Sequence, residues 1–159
     1  MPVRIRTMTP GDKPGLMEIL HNTPEFKPSE VVVAEELIDG YLYSPERSGY
    51  YALVAEVDSA VAGYVCYGPT PLTEGTWDVY WMAVALETRG QGIGRTLSEA
   101  AEHEITKAGG RMTIIETSSL PSYERTRRFY LNQGYKLICR IPDFYTPGDD
   151  KLIMQKILE

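Results

Sequence analysis

The sequence predicts an α/β (α+β) fold, a mixed seven-stranded sheet flanked by about four helices, and three observations carry that prediction. Residues 77–84 form an aromatic and β-branched run bounded by Gly75, which reads as a largely buried strand. The run feeds the turn Arg89-Gly90-Gln91-Gly92-Ile93-Gly94 and an amphipathic helix beginning near Arg95, in which Ile93, Leu97, Ala101, Ile105 and Ala108 recur at helical spacing until Gly109-Gly110. Residues 111–117 are a further strand, and the intervening helix makes it parallel to the first.

The other elements follow in order. Val3 and Ile5 alternate with Arg4 and Arg6 as an opening strand. Thr9-Pro10-Gly11-Asp12 marks a helix start, with Thr9 as cap and Pro10 at the first helical position, and Leu16, Ile19 and Leu20 share a face. Pro24 and Pro28 break that run. A second helix spans about 29–42, with Val31, Ala34, Ile38 and Tyr41 inward and Glu30, Glu35 and Glu36 outward, until Ser44-Pro45 ends it. Residues 50–57 and 60–67 make an antiparallel hairpin on Asp58-Ser59. After the central unit, residues 122–133 read as a short helix with Gly134 at its C-terminal cap. The last strands, 135–141 and 151–158, are separated by a loop over 142–148.

At 159 residues with 43% hydrophobic content, one domain over residues 1–159 with one core is expected. No apolar run approaches the roughly 20 residues that span a bilayer, and the N-terminus lacks the apolar core of a signal peptide, so a cytoplasmic protein with no membrane partner is expected. Cys66 and Cys139 fall in strands and are expected as two buried, reduced thiols; with two His and two Cys far apart, no metal site is expected. The formal charge of −6 disfavours nucleic acid and fits cationic substrates.

A strand that feeds a glycine turn and a helix N-terminus is an anion site, because free backbone N–H groups converge there, the helix dipole adds positive potential, and glycine admits phosphate to the main chain. The dinucleotide fingerprint needs glycines at the first, third and sixth places, whereas a count from Gly90 finds Gly92 and then Arg95, which argues against NAD or FAD. The triphosphate loop needs Gly-Lys-Ser or Gly-Lys-Thr, and Gly94-Arg95-Thr96 disfavours ATP.

Arg89, Gly92 and Gly94 instead fill the pattern Arg or Gln, two residues, Gly, one residue, Gly or Ala. Phe129-Tyr130-Leu131-Asn132-Gln133-Gly134-Tyr135 fills Phe-Tyr, three residues, Gly, Phe or Tyr. The first resembles the acetyl-CoA loop of the GNAT superfamily of N-acetyltransferases and the second the signature after its penultimate helix; the element order resembles that family over nearly the whole chain. The resemblance implies a GNAT fold with splayed central parallel strands. It also implies an acetyl-CoA-dependent N-acetyltransferase whose primary amine acceptor attacks directly in a ternary complex; the alternative is a non-catalytic acyl-CoA-binding regulatory domain of the same fold. The coenzyme diphosphate would lie on the main-chain N–H groups of Gly90, Gln91, Gly92, Ile93, Gly94 and Arg95 and on the Thr96 hydroxyl, with charge added by Arg89 and Arg95. Its pantetheine arm would pair with the strand end at Met82, Ala83 and Val84, where a backbone N–H also serves the oxyanion. Tyr123 stands where the family often places an Asn on the pantetheine.

The chemistry adds two proton transfers. An ammonium must lose a proton before it attacks, and Asp78 is the first choice of base, expected on one strand face with Tyr80, Met82 and Val84. Its alternative is a structural aspartate bonded to a loop; Glu74 or water would then serve. Tyr130 is the candidate acid towards the departing CoA thiolate, its alternative being a packed phenol bonded to backbone. By the family's layout alone, Glu25, Phe26, Tyr41, Asp143, Phe144 and Tyr145 face the acceptor, and their acidic and aromatic character suits a small cationic amine, with a protein or peptide amine also open. Homodimers are common in the family.

Overall fold

In the computed structural model, which describes residues 2–159, the chain opens with strand β1 (Arg4–Thr7). A 3-10 turn at Pro10–Asp12 leads into α1 (Lys13–His21), so Pro10 shapes the turn before the helix. Asp12 fixes this corner: its carboxylate accepts the Thr9 N–H at 2.8 Å and two guanidinium N–H bonds from Arg6, each 2.8 Å. Pro24 and Pro28 lie beyond the end of α1, as expected, and Pro28 also starts the next helix, α2 (Pro28–Tyr43), since the first turn needs no N–H from it. One further helical turn, α3 (Pro45–Ser48), follows where the sequence signalled a stop.

The hairpin of β2 (Tyr51–Val57) and β3 (Ala60–Pro69) turns on Asp58 and Ser59, both with positive φ (51° and 65°), as a two-residue turn matched to strand twist requires. Then come β4 (Thr76–Val84), α4 (Ile93–Lys107), β5 (Met112–Ser118), α5 (Glu124–Asn132), β6 (Lys136–Thr146) and β7 (Asp149–Ile157). Helix α4 starts at Ile93, two residues before Arg95, because Gly92 is its left-handed cap. The seven strands lie in the order β1-β2-β3-β4-β5-β7-β6. Among the described residues, only β4 and β5 pair in parallel. Helices α1 and α2 cover one face, where Leu16, Leu20 and Ile38 pack on Val54 and Tyr64. Helix α4 covers the other with Ile93, Leu97 and Ile105 on Val65 and Trp77, and α5 packs Tyr130 on Ile115 and Met154.

Two features position the site. Strands β4 and β5 pair only through Thr76↔Met112, Trp77↔Thr113 and Asp78↔Ile114, and diverge beyond that rung. Strand β4 also carries a bulge, since Cys66 pairs with Trp81 but Tyr67 pairs with Val79, leaving Tyr80 as the extra residue. Tyr80 and Trp81 therefore both pack on the α1–α2 side, while Val79, Met82 and Val84 face α4. The expectation that Asp78 shares a face with Met82 and Val84 is corrected: strict alternation holds only up to the bulge.

The expected loop over 142–148 is also corrected. Strand β6 continues through Pro142 to Thr146, and only Pro147-Gly148 turns the chain. Strand β6 is a sheet edge, so Pro142 breaks no ladder on its outer side, and every residue of the strand is exposed. Cys139 is consequently exposed, against the expectation of two buried thiols, whereas Cys66 in β3 is buried. Among the described residues no helix is long and apolar enough to cross a membrane.

Candidate active site

The divergence of β4 and β5 opens a cavity of about 490 Å³, walled by Tyr80, Trp81 and Met82 on one side and by residues 115–118 of β5 on the other. Glu25, Phe26 and Glu30 close it from α2 and the segment before it; Tyr123 and Tyr130 close it from the α5 side, and Tyr145 and Asp149 from the last hairpin.

The glycine turn stands at the N-terminus of α4. Arg89 N–H bonds to Leu86 O and Thr96 N–H to Gly92 O, but the amides of residues 90–95 have no hydrogen-bond partner among the described residues. They are the orphan donors of a helix start, here extended backwards into the turn. Gly90 and Gly92 hold φ near +80°, which a side chain would strain, and a Cβ at either would meet open space. Gly94 is needed for the opposite reason: a Cβ there would stand 3.2 Å from the Phe129 ring, so the two sequence signatures touch.

The expected side-chain donors of the turn are already engaged. Thr96 donates its hydroxyl to Gly92 O at 2.9 Å, which removes it as a donor to phosphate. Arg89 is paired with Glu25 at 3.1 Å, and exposed Arg95 with Glu99 one helical turn on. The donors left free at the turn are thus main-chain amides.

Beyond the last paired rung β4 has a free edge. Ala85 N–H bonds to Ala62 O on the β3 side at 2.8 Å, so by alternation Ala83 also faces β3, while the N–H and C=O groups of Met82 and Val84 point away from it to the open edge. Of the three predicted strand residues, Met82 and Val84 therefore present backbone to the open edge, and Met82 lines the cavity. Tyr130 is buried in edge-to-face contact with Phe129 and Tyr135, at centroid distances of 5.2 and 5.5 Å. Tyr130 lines the cavity, and its hydroxyl, unlike that of Tyr135, which bonds Thr113 at 2.7 Å, makes no hydrogen bond among the described residues. Burial pushes the phenol well above its usual range, so it is protonated and able to donate at neutral pH.

The predicted bases are placed elsewhere. Asp78 is on the closing rung, does not line the cavity, and accepts the Thr70 hydroxyl at 2.8 Å. Burial raises its carboxyl above the ordinary value, the Thr70 bond acts the other way, and the charge of Glu116 adds to the rise. Glu74 sits before the N-terminal end of β4, away from the opening, where its carbonyl accepts Arg111 Nε at 2.7 Å. Tyr123 does line the cavity and donates its hydroxyl to Glu30 of α2 across it.

Of the residues placed by family layout, Glu25, Phe26 and Tyr145 line the cavity, whereas Tyr41, Asp143 and Phe144 do not. Tyr41 packs into the α1–α2 core, Asp143 accepts Gly148 N–H within the last hairpin, and Phe144 lies under the Lys151 ammonium at 3.9 Å. Three wall carboxylates escaped sequence reading: Glu30, Glu116 and Asp149. Glu116 pairs with Lys151 at 3.1 Å. Asp149 is buried and accepts the Ser118 hydroxyl at 2.5 Å, a contact between residues 31 apart that only the β5–β7 pairing creates.

Comparison with known proteins agrees with this geometry. A family model for an acetyltransferase (GNAT) domain matches residues 48–137. An uncharacterized N-acetyltransferase of Methanocaldococcus jannaschii is 32% identical over 104 residues, covering 65% of this chain and 64% of that relative's length. The crystal structure of a protein from Desulfovibrio desulfuricans assigned to the GNAT acetyltransferases superposes with a TM-score of 0.94 at 39% identity, over 99% of this chain and 100% of that one. An aminoglycoside 6′-N-acetyltransferase complexed with coenzyme A shares the fold at a TM-score of 0.78 and 20% identity, over 98% and 97% of the two chains. A glycine turn with free amides, two splayed parallel strands and a family match over residues 48–137 make this chain a member of the GNAT acetyltransferase family.

Proposed function

We propose that this protein is an acetyl-CoA-dependent N-acetyltransferase that moves an acetyl group to a primary amine by direct attack in a ternary complex. The observation that carries the reading is the run of unpartnered amides at residues 90–95, from which the free edge of β4 leads past Met82 towards an unpartnered phenol at Tyr130. Acetyl-CoA would supply an acyl group activated as a thioester. The residues 90–95 amides hold its diphosphate, the outward backbone of Met82 and Val84 aligns the pantetheine amides, and a β4 N–H receives the charge that develops on the carbonyl oxygen. Tyr130 gives its proton to the departing sulfur and regains one from water.

The acceptor side supports an amine that arrives as a cation. Glu25, Glu30, Glu116 and Asp149 line the wall against Lys27 alone, and Phe26 and Trp81 add an aromatic pair at 5.3 Å. A small amine and the terminal amine of a peptide both meet that description.

The test is a calorimetric titration with acetyl-CoA together with CoA release over a panel of amines, for the wild type and for Tyr130→Phe. The variant is expected to bind acetyl-CoA as the wild type does and to turn over roughly 10²-fold more slowly. Unchanged turnover removes Tyr130 from the mechanism. Binding without CoA release from any amine would mark a non-catalytic acyl-CoA-binding domain, and no binding would overturn the reading altogether.

A further inference from the structure

Asp149 is the one wall carboxylate that is both buried and without a cation. It is 3% exposed, while Glu25 is matched by Arg89 and Glu116 by Lys151, and no Lys, Arg or His lies within ion-pair reach of Asp149 among the described residues. Its one side-chain partner is Ser118, whose direction is fixed: the Ser118 oxygen accepts Leu120 N–H at 3.0 Å, so its proton points to Asp149. A buried carboxylate held by a single hydroxyl is costly unless a positive charge comes to it. The titratable groups on the same cavity include Glu25 and Lys27 before α2, Glu30 of α2, Tyr123 before α5, Tyr145 of β6 and Glu116 of β5; of the cations, Lys27 makes no ion pair with Asp149 among the described residues and Lys151 is committed to Glu116. Burial foremost, and then the surrounding carboxylates, Asp149 among them, raise the Tyr123 and Tyr145 phenols, which keeps both neutral.

The register sets where this pair stands. Counting past the bulge at Tyr80, Met82 lies three rungs beyond the last pair, Asp78↔Ile114, and Ser118 four residues beyond it, and Met82, Ser118 and Asp149 line the one cavity that the diverging strands open. Tyr130, its hydroxyl unpartnered among the described residues, lines the same space.

The geometry points to Asp149, oriented by Ser118, as the carboxylate that receives the acceptor's ammonium and takes its proton. The inference rests on the transferase reading above. One ammonium proton passes to Asp149 and on to water, and the freed lone pair forms the C–N bond at the thioester carbon. As the C–S bond breaks, nitrogen sheds its second proton to water and Tyr130 protonates the sulfur, then recovers a proton from water. The balance is one amide, one thiol and one proton released.

The experiment compares wild type, Asp149→Asn and Ser118→Ala with tyramine, cadaverine, spermidine and a short peptide with a free N-terminus, as a function of pH, alongside acetyl-CoA titration. Asp149→Asn is expected to keep acetyl-CoA affinity and to lose about 10²-fold in kcat/KM at pH 7, with the loss shrinking at higher pH as neutral amine becomes abundant. Ser118→Ala is expected to lose roughly tenfold with a displaced pH profile, a readout that a purely structural serine would not move. If wild type is active but Asp149→Asn stays within threefold and keeps the wild-type pH profile, Asp149 is overturned while the transferase reading stands. Should Asp149→Asn fail to fold, an unchanged profile in Ser118→Ala overturns the assignment by itself. Absence of CoA release by wild type with every probe overturns both.

Discussion

Cys66 and Cys139 are the same residue type in strands of the same sheet, and their surroundings give them opposite chemistry. Burial pushes the Cys66 thiol up to about 12, so neither thiolate nor reagent reaches it, whereas Cys139 stands on an edge strand in solvent. Under native conditions a thiol reagent should therefore label one cysteine per chain, and peptide mapping should find the label on Cys139; prompt labelling of Cys66 would contradict the packing of β3. The same logic separates what single residues disclosed in the sequence from what they concealed. The amides of the glycine turn were legible because their availability follows from local backbone conformation, which glycine spacing encodes. Asp78 misled because its direction depends on an extra residue two positions on, and Asp149 stayed hidden because its partner arrives from another strand. Arg89 and Thr96 were read as phosphate ligands from the motif, yet each already has a protein partner, Glu25 and Gly92 O.

Among elements, the corner between β1 and α1 shows how a few charges fasten a strand to a helix. Arg6 of β1 bonds Asp12 before α1 and Glu56 of β2, each at 2.8 Å, in a part-buried cluster. The Arg6 guanidinium first, with the Thr9 N–H assisting against burial, holds the Asp12 carboxyl below its ordinary value of 3.8. A carboxyl lowered on folding contributes its stability in full above the unfolded value and loses it as the pH falls through the folded one. Asp12→Asn should thus be less stable than wild type by about 1–2 kcal/mol at pH 7. In denaturant titrations the gap should close as the pH drops below 3.8, and a gap independent of pH would assign the effect to packing. Element types were read correctly where periodicity was long and unbroken, as in α2 and α4. The stretch over 142–148 was misread because Pro and Gly signal a loop locally, while an edge strand tolerates both.

At the scale of the molecule, the coenzyme would bridge parts that already touch where Gly94 meets Phe129 and Val84: the start of α4, the free edge of β4, and α5. A ligand that binds only the folded chain adds about 2.7 kcal/mol at a hundred times its dissociation constant. For a chain of this size that corresponds to a rise of roughly 5–10 °C in Tm, readable by calorimetry with acetyl-CoA. No rise at saturating coenzyme would mean that the turn does not bind it. The parallel central pair was foreseeable from element order, because a helix between two strands imposes a crossover, whereas the insertion of β7 between β5 and β6 was not. What the pattern could not foresee was the phase of β4. With Tyr80 as a supernumerary residue, the strand's first half is keyed to one helical layer and its second half is turned half a cycle against it. Straighten the strand without removing a residue and the backbone groups of Met82 and Val84 would swing to the neighbouring β3, their side chains would trade layers, and the coenzyme would find the wrong side of the strand.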